Sequence, residues 1–386
     1  MERAEIAPIR LNLAPGPSQL LPGLPEAAAR FLASGMAGLN HRSPEFSALM
    51  TGLERRLRGY LHLPEDLSLW FVSSASYAME LCARNLVRRR ATALRLGAFS
   101  ERFATVAALA GRQVETVALE PGTSLPSWME RNKGATAADF FAAPAWRGAE
   151  AWLLCHNETA TGTALPLELL PPLDDQSPLR LVDCVSSAGA QALPWDRADI
   201  WFLSVQKAFG CPPGLAAILA GPRARARAAE LEAECRDTGA WFSFARLEEN
   251  SRRHQSPCTP NSLGLALLDE AAARLGAEGL ERVEARVRAL RDACQTWLAA
   301  HPLLEAAVPH PADRSLTVTT LRRRDGGPLD PLARRLRARG VVVGGGYGDW
   351  RGTSLRLAHF PAHAPRDLEA ALAEIDHLLL DEGGEP

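Results

Sequence analysis

The central part of the chain alternates short apolar runs with amphipathic stretches. Within Leu67–Ala220, seven apolar runs have the length and composition of β-strands. Between them, at Ser76–Arg90 and Glu101–Ala110, apolar positions recur three and four residues apart, as in helices with one buried face. This alternation predicts an α/β fold with a mostly parallel seven-stranded sheet flanked by helices. The candidate strands are Leu67–Val72, Thr92–Leu96, Gln113–Leu119, Trp152–Cys155, Leu179–Asp183, Ile200–Ser204 and Leu215–Leu219.

After Ser262 the pattern changes to long helices rich in Ala, Leu, Arg and Glu, predicted at Leu263–Leu275 and Leu280–Ala299. Shorter elements follow, with strands at Ser315–Leu321, Val341–Val343 and Ser354–Leu357 and helices at Leu332–Arg339 and Arg366–Leu380. We therefore expect a large domain over residues 21–262. A helical linker and a smaller C-terminal α+β domain would occupy residues 263–386. Residues 1–20 would form a segment near the active site or the smaller domain.

Composition excludes several classes of protein. Hydrophobic residues make up 47% of the 386 residues and charged residues 23%, as in ordinary globular proteins. Lys+Arg (43) and Asp+Glu (45) nearly balance, so no basic field would attract nucleic acid. The seven cysteines lie singly, without metal-ligand spacing, and we expect reduced thiols and no metal. No secretory signal or run of roughly 18 apolar residues is present, so we expect a cytoplasmic protein without membrane contact.

Lysine is scarce in this sequence. Of the 43 basic residues, only Lys133 and Lys207 are lysines. Arginine stays protonated, whereas a lysine amine can lose its proton and form an imine with an aldehyde. A lysine in so arginine-rich a chain is therefore a candidate for covalent chemistry. Lys133 lies in a polar segment and is interpreted as a solvated charge.

Lys207 follows one predicted buried strand, and Asp183 is the last residue of another. Lys207 comes after Ile200–Ser204 and enters a turn rich in Gly and Pro, at the sheet edge where α/β enzymes place ligands. Asp183 ends Leu179–Asp183, where a carboxylate could keep the pyridine nitrogen of pyridoxal phosphate protonated. The structural alternatives are a lysine that closes a loop and an aspartate that caps a helix or turn.

A phosphate site is expected where the first predicted strand meets a helix. The segment Ser73–Ser76 reads Ser-Ser-Ala-Ser, and its small side chains would let a phosphate approach the backbone. Free N–H groups and the positive end of the helix dipole converge at such a point. An ordinary serine N-cap explains the same segment equally well.

Together these segments resemble the class V aminotransferases of fold type I, and among them the phosphoserine aminotransferase family. The most specific motif is Gly38–Phe46, which contains His-Arg-Ser-Pro-Glu-Phe. The resemblance spans nearly the whole chain. Other matching segments are Asn12–Pro17, His156–Thr159 with Gly162, Ser204–Lys207, Thr259–Pro260 and Leu355–Phe360.

The resemblance implies a pyridoxal 5'-phosphate cofactor that Lys207 holds as a Schiff base, with Asp183 at the ring nitrogen. It further implies a homodimer, because Thr259 would reach the cofactor phosphate from a second subunit. Phe99 would stack on the ring, although the residues alone favour a core aromatic at this position. The other cofactor-binding residues so implied are Ser74, Ala75, Ser76, Thr159 and Gln206.

The resemblance also implies a substrate site. Arg356 would bind the α-carboxylate, and His41 and Arg42 of the partner chain would bind a side-chain phosphate. Read without the resemblance, His41 and Arg42 suit a surface turn, and Arg356 a surface charge. The chain departs from the family at Ser76, where some members have a phosphate-binding arginine.

The resulting hypothesis is a ping-pong aminotransferase in which Lys207 moves the substrate's α-proton as general base and acid. Its substrates would be L-glutamate and 3-phosphohydroxypyruvate, and its products 2-oxoglutarate and O-phospho-L-serine in serine biosynthesis. One alternative is a class V aminotransferase of unphosphorylated substrates such as alanine or serine, with glyoxylate or pyruvate as acceptor. Two others are a cysteine desulfurase or lyase that uses Cys258, and a cofactor-binding protein without activity.

Overall fold

The computed structural model describes residues 8–234, 237–239, 241 and 243–382. The strands are β1 (Leu11–Leu13), β2 (Ser68–Val72), β3 (Arg90–Arg95), β4 (Gln113–Ala118), β5 (Ala151–Cys155), β6 (Asn157–Glu158), β7 (Thr163–Ala164), β8 (Leu179–Asp183), β9 (Ile200–Ser204), β10 (Ala216–Ala220), β11 (Leu304–Ala306), β12 (Val318–Arg323), β13 (Val341–Gly345) and β14 (Ser354–Ala358). The helices are α1 (Leu24–Ala33), α2 (Pro44–Leu61), α3 (Ala75–Leu86), α4 (Ala98–Leu109), α5 (Leu125–Arg131), α6 (Ala137–Phe141), α7 (Pro222–Ala233), α8 (Phe244–Ser251), α9 (Ser262–Glu278), α10 (Leu280–Ala300), α11 (Asp330–Ala338) and α12 (Pro365–Glu382).

The larger sheet has the strand order β2-β10-β9-β8-β5-β3-β4. β10 is antiparallel to both β2 and β9, and the other neighbouring strands are parallel. β5, β9 and β10 are buried at every position, which explains their nearly uninterrupted apolar sequences. The predicted seven-stranded, mostly parallel sheet is confirmed, with small shifts at the strand ends.

The two helices predicted between these strands differ from the prediction at their ends, and α5 and α6, between β4 and β5, were not predicted. The helix predicted at Ser76–Arg90 ends at Leu86, because Arg90 already begins β3. α4 begins at Ala98, ahead of the predicted Glu101, so that its first turn adjoins the end of β3. The two long helices predicted after Ser262 are present as α9 and α10.

The smaller sheet has the strand order β1-β13-β14-β12-β11. The three strands predicted in the C-terminal part correspond to β12, β13 and β14, and α11 and α12 occupy the predicted helical segments. β1 and β11, which were not predicted, are three-residue strands at the two edges. β1 pairs in parallel with β13, so the N-terminal segment joins this sheet. The domain boundaries at residues 20 and 262 remain a prediction.

The structure also bears on the cysteines and on membrane contact. Within the described ranges, no helix combines the length and apolar character needed to cross a bilayer. Six cysteines are free thiols, of which Cys258 is exposed, and Cys235 lies outside the described residues. No cluster of three or more His, Cys, Asp or Glu side chains suited to a metal ion occurs in the part of the chain that is described.

Phe202 on β9 connects the middle of the larger sheet to a covering helix. The residue is fully buried, and its ring meets that of Phe103 on α4 edge to face, with 5.4 Å between ring centroids. Aromatic pairs in this geometry add to the free energy gained by burial. The pair therefore fixes α4 against the sheet.

Phe202→Ala should lower the free energy of unfolding by about 3 to 5 kcal/mol, because both the lost contacts and the remaining cavity disfavour the folded state. Chemical denaturation of the purified protein measures this change. The control is Leu109→Ala on α4, at a position 82% exposed, where the change should stay within about 0.5 kcal/mol. Equal effects of the two substitutions would contradict the role of Phe202 in the core.

Candidate active site

Two neighbouring strands of the larger sheet bring Asp183 and Lys207 together. Asp183 is the last residue of β8, Lys207 lies just after β9, and these strands are parallel. Both side chains line one cavity at the carboxyl edge of the sheet. Asp183 is 5% exposed and Lys207 is 7% exposed. Two ionisable groups of the cavity are thus positioned by buried strands of the sheet.

Burial changes the protonation of both groups. Removal from water lowers the pKa of Lys207 to about 8, and the carboxylate of Asp183 opposes part of that change. Burial raises the pKa of Asp183 to about 7, against the opposing effects of a hydrogen bond from the Val185 amide and of Lys207. An amine with a lowered pKa is a nucleophile near neutral pH. A buried carboxylate is stabilised in its charged form by any cation placed next to it.

The start of α3 forms a second wall of the cavity. Ser74 is the N-cap residue, and its hydroxyl accepts a hydrogen bond of 3.2 Å from the amide of Tyr77. Ser74, Ala75 and Ser76 line the cavity together with Gln206. Unpaired N–H groups and the positive end of the helix dipole attract anions at such a helix start. This wall has the chemistry of a phosphate site.

Phe99, in the first turn of α4, forms the aromatic wall. The Nζ atom of Lys207 lies 5.3 Å from the centroid of its ring. The fully buried carboxylate of Glu158 accepts hydrogen bonds from the amides of Phe99 and Ser100 and from the Ser100 hydroxyl. A carboxylate is favoured at this end of a helix because it satisfies N–H groups that have no partner within the helix. Glu158 therefore fixes the position of the ring.

Arg356 of β14 reaches the same site from the smaller sheet. Its Nε donates to the carbonyl of Gly345 and its Nη1 to the carbonyl of Thr159, both at 2.8 Å. Burial lowers its pKa to about 10, against the opposing effect of Glu158. The guanidinium stays charged at neutral pH, and its charge contributes to the lowered pKa of Lys207. Thr159 itself lines the cavity.

The N-terminal segment covers Lys207. A Cβ atom built on Gly16 would lie 2.8 Å from the Cε atom of Lys207, so no larger residue fits without a shift. The φ angle of Gly16 is 136°, in the range that favours glycine. The amide of Ser18 donates to the carbonyl of Gln206 at 3.1 Å. The segment is thus anchored directly beside the lysine.

His41, Arg42 and Thr259 do not line this cavity within the described part of the single chain. Arg42 precedes α2, and its guanidinium donates to the side-chain oxygen of Gln255 at 2.5 Å. Thr259 lines a neighbouring, more apolar cavity. Their predicted roles require a second subunit, so these three assignments remain predictions.

Sequence reasoning missed three residues of the site: Glu158, Arg102 and Tyr347. Glu158 stood inside a matched motif without a role, and no local pattern connects it to α4. Arg102 follows Phe99 by one helical turn, but the helix was predicted to begin only at Glu101, which hid the face that they share. Tyr347 lies in a glycine-rich loop that carries no periodic signal.

The chain is similar to known proteins in both sequence and fold. Residues 11–348 match the family described as Aminotransferase class-V. A phosphoserine aminotransferase of Nocardioides sp. is 29% identical over 363 residues, which cover 94% of this chain and 93% of that protein. The crystal structure of a phosphoserine aminotransferase, SerC, from Cytophaga hutchinsonii has a TM-score of 0.86 and 26% identity, and covers 95% of this chain and 98% of its own.

A pyridoxamine-pyruvate aminotransferase from Mesorhizobium loti has a similar fold, with a TM-score of 0.85 at 23% identity over 100% of this chain and 95% of that one. The fold-type I architecture expected from the sequence is therefore confirmed. Because the family match covers most of the chain, the protein belongs to the class V aminotransferase family.

Proposed function

We propose that this aminotransferase uses pyridoxal phosphate and transfers the amino group of L-glutamate to 3-phosphohydroxypyruvate, which gives 2-oxoglutarate and O-phospho-L-serine for serine biosynthesis. The main support for this cofactor is the buried amine of Lys207 beside Asp183, in a cavity that ends at the start of α3. The substrate pair is supported by relatives named phosphoserine aminotransferase that align with nearly the whole chain. The cytoplasmic location stays a prediction.

The residues of the cavity fit pyridoxal phosphate. Asp183 would pair with the ring nitrogen, Phe99 would cover a ring face, and Thr159 would hydrogen-bond the 3-oxygen. The bound cofactor supplies an aldehyde for Lys207 and a ring that takes up negative charge from the substrate's α-carbon. The residues that would hold the phosphate are Ser74, Ala75, Ser76 and Gln206.

The chain's own residues then move the proton. The neutral amine of Lys207 accepts the α-proton of the substrate, and the ammonium returns it as general acid. A pKa of about 8 keeps both forms accessible near neutral pH. Arg356 binds the α-carboxylate through its remaining N–H groups, because two of its nitrogens already donate to the carbonyls of Gly345 and Thr159.

The substrate assignment predicts that O-phospho-L-serine is a better amino donor than L-serine or L-alanine when 2-oxoglutarate is the acceptor. The expected preference in kcat/KM is about 10-fold to 100-fold or more, because a paired phosphate forms charge-assisted hydrogen bonds that the smaller substrates lack. Steady-state assays of the purified protein measure it. Equal or better turnover of serine or alanine would refute the phosphorylated substrate and leave transamination standing.

The attachment of pyridoxal phosphate to cofactor-free protein should become faster as pH rises through about 8, rather than through the usual lysine value near 10.4, because only the neutral amine of Lys207 attacks the aldehyde. The rate of appearance of the visible absorption band measures this dependence. The sign follows from the lowered pKa, since deprotonation is already half complete at about pH 8.

The other lysine provides a matched control for that experiment. Lys133→Ala, at an exposed position, should reproduce the wild-type band and pH profile. Lys207→Ala should show no covalent band, and borohydride should reduce no cofactor onto it. A reducible band in Lys207→Ala would contradict the assignment.

A homodimer with shared sites predicts complementation between two inactive variants. Arg42→Ala should selectively lose activity on the phosphorylated substrate, and Lys207→Ala should lose activity on every substrate. If Arg42 acts across the interface, co-expression of the two chains restores up to about a quarter of the wild-type activity, since mixed dimers keep one intact site. The purified mixture is assayed with O-phospho-L-serine.

Complementation tests the shared site, and the activity of Arg42→Ala alone discriminates between the candidate functions. No restoration would contradict the shared site. Full activity of Arg42→Ala on O-phospho-L-serine would favour an aminotransferase of unphosphorylated amino acids. Cys258, the candidate nucleophile of a desulfurase or lyase, lines the cavity of Thr259 and does not line the cavity of Lys207.

A further inference from the structure

A stacked aromatic pair stands at the centre of a group of cationic side chains. The rings of Phe99 and Tyr347 lie 5.4 Å apart at an interplanar angle of 15°. The guanidinium carbon of Arg102 lies 5.2 Å from the Phe99 centroid, and that of Arg356 lies 5.5 Å from the Tyr347 centroid. With Lys207 at 5.3 Å from Phe99, three cationic groups surround one aromatic pair.

Arg102 is the cation of this group to which the proposed function assigns no role. It stands on α4 one helical turn after Phe99, is half-buried and lines the cavity together with Ser76. Its Nη2 donates to the hydroxyl of Tyr347 at 2.8 Å, which orients the guanidinium through an uncharged partner. In the ranges of chain that the structure covers, no carboxylate forms an ion pair with Arg102.

The charges of this cavity favour a ligand with two acidic groups. The nearby carboxylates have other contacts: Asp183 accepts a hydrogen bond from the amide of Val185 and is influenced by the charge of Lys207 and, less strongly, of Arg102, and Glu158 accepts from the first turn of α4. Two nitrogens of Arg356 already donate to backbone carbonyls, so its remaining N–H groups suffice for only one carboxylate of the substrate. A half-buried guanidinium that is near a carboxylate but forms no ion pair with one is stabilised by an anion that enters with the substrate.

We propose that Arg102, oriented by Tyr347, is a specificity-determining residue that binds the second acidic group of the substrate, the distal carboxylate of a dicarboxylic amino acid or the phosphate of a phosphorylated one. This inference rests on the proposed aminotransferase function and names the substrate class of the same site. The guanidinium lies over the ring of Phe99, and beside the hydrogen bond from Nη2 to Tyr347 its remaining N–H groups can donate to an anion. Arg102 would thus supply, from within the chain, a cation for the distal acid in addition to those predicted from the partner.

The experiment compares the wild type with Arg102→Gln, Arg102→Lys and Tyr347→Phe, all loaded with pyridoxal phosphate. The control is Arg89→Gln, at an exposed arginine ahead of β3. Each protein is mixed with L-glutamate, O-phospho-L-serine or L-alanine, and the rate of the first half-reaction is followed by the shift of the visible band. Cofactor affinity is measured separately by titration of the cofactor-free protein.

Arg102→Gln should lower the second-order rate for both acidic amino acids by about 10-fold to 100-fold, the loss expected for hydrogen bonds to a charged group. The rate for alanine and the cofactor affinity should change less than about threefold, as for an interaction that neither ligand makes. Arg102→Lys should recover part of the loss, and Tyr347→Phe should produce a smaller loss of the same selectivity. Arg89→Gln should match the wild type.

Three results would overturn the inference. An equal loss for alanine and the acidic amino acids would mean that Arg102 acts on the fold or the cofactor. A large loss of cofactor affinity in Arg102→Gln would assign its charge to the cofactor phosphate. If the wild type itself reacts with neither acidic amino acid, the proposed function fails, and the inference fails with it.

Discussion

The amine of Lys207 lies out of water beside the carboxylate of Asp183, and the larger sheet is arranged to hold this pair. β8 and β9 are buried at every position and end at the same edge of the sheet. Asp183 at the end of β8 and Lys207 just after β9 therefore lie close together. An unpaired ammonium in such a place would cost several kcal/mol. Two effects reduce that cost: the lowered pKa allows the amine to lose its proton, and the carboxylate of Asp183 stabilises the ammonium when it is present. The same burial makes the amine reactive, because it lowers the pKa of Lys207 and so increases the fraction of neutral amine near neutral pH.

The parts of the molecule that the sequence predicts well are those set by short-range pattern. A run such as Ile200–Ser204 is too apolar for a surface, and a polar residue that follows such a run must lie at the edge of the sheet. This pattern predicts the positions of Asp183 and Lys207, and the scarcity of lysine further distinguishes Lys207. The turn at Ser74 is predictable in the same way, because a strand that runs into a helix exposes backbone N–H groups.

Contacts between distant segments leave no local signal, and these were missed. Nothing in the sequence pairs Gly16 with Lys207, or Arg102 with Tyr347. α2 does carry a local signal that the prediction did not use, because Ser43 accepts a hydrogen bond from the amide of Phe46 as a regular N-cap. Residues predicted to act across subunits cannot meet their site in one chain.

The carboxylate of Glu158 has a mechanical consequence. It ties the segment after β5 to the first turn of α4, and the next residue, Thr159, offers its carbonyl to Arg356 on the smaller sheet. The ring of Phe99 and the guanidinium of Arg356 are therefore coupled through two adjacent residues. One short segment thus anchors both the aromatic wall from the larger sheet and the arginine from the smaller sheet, so a substitution that shifts either would also displace the other.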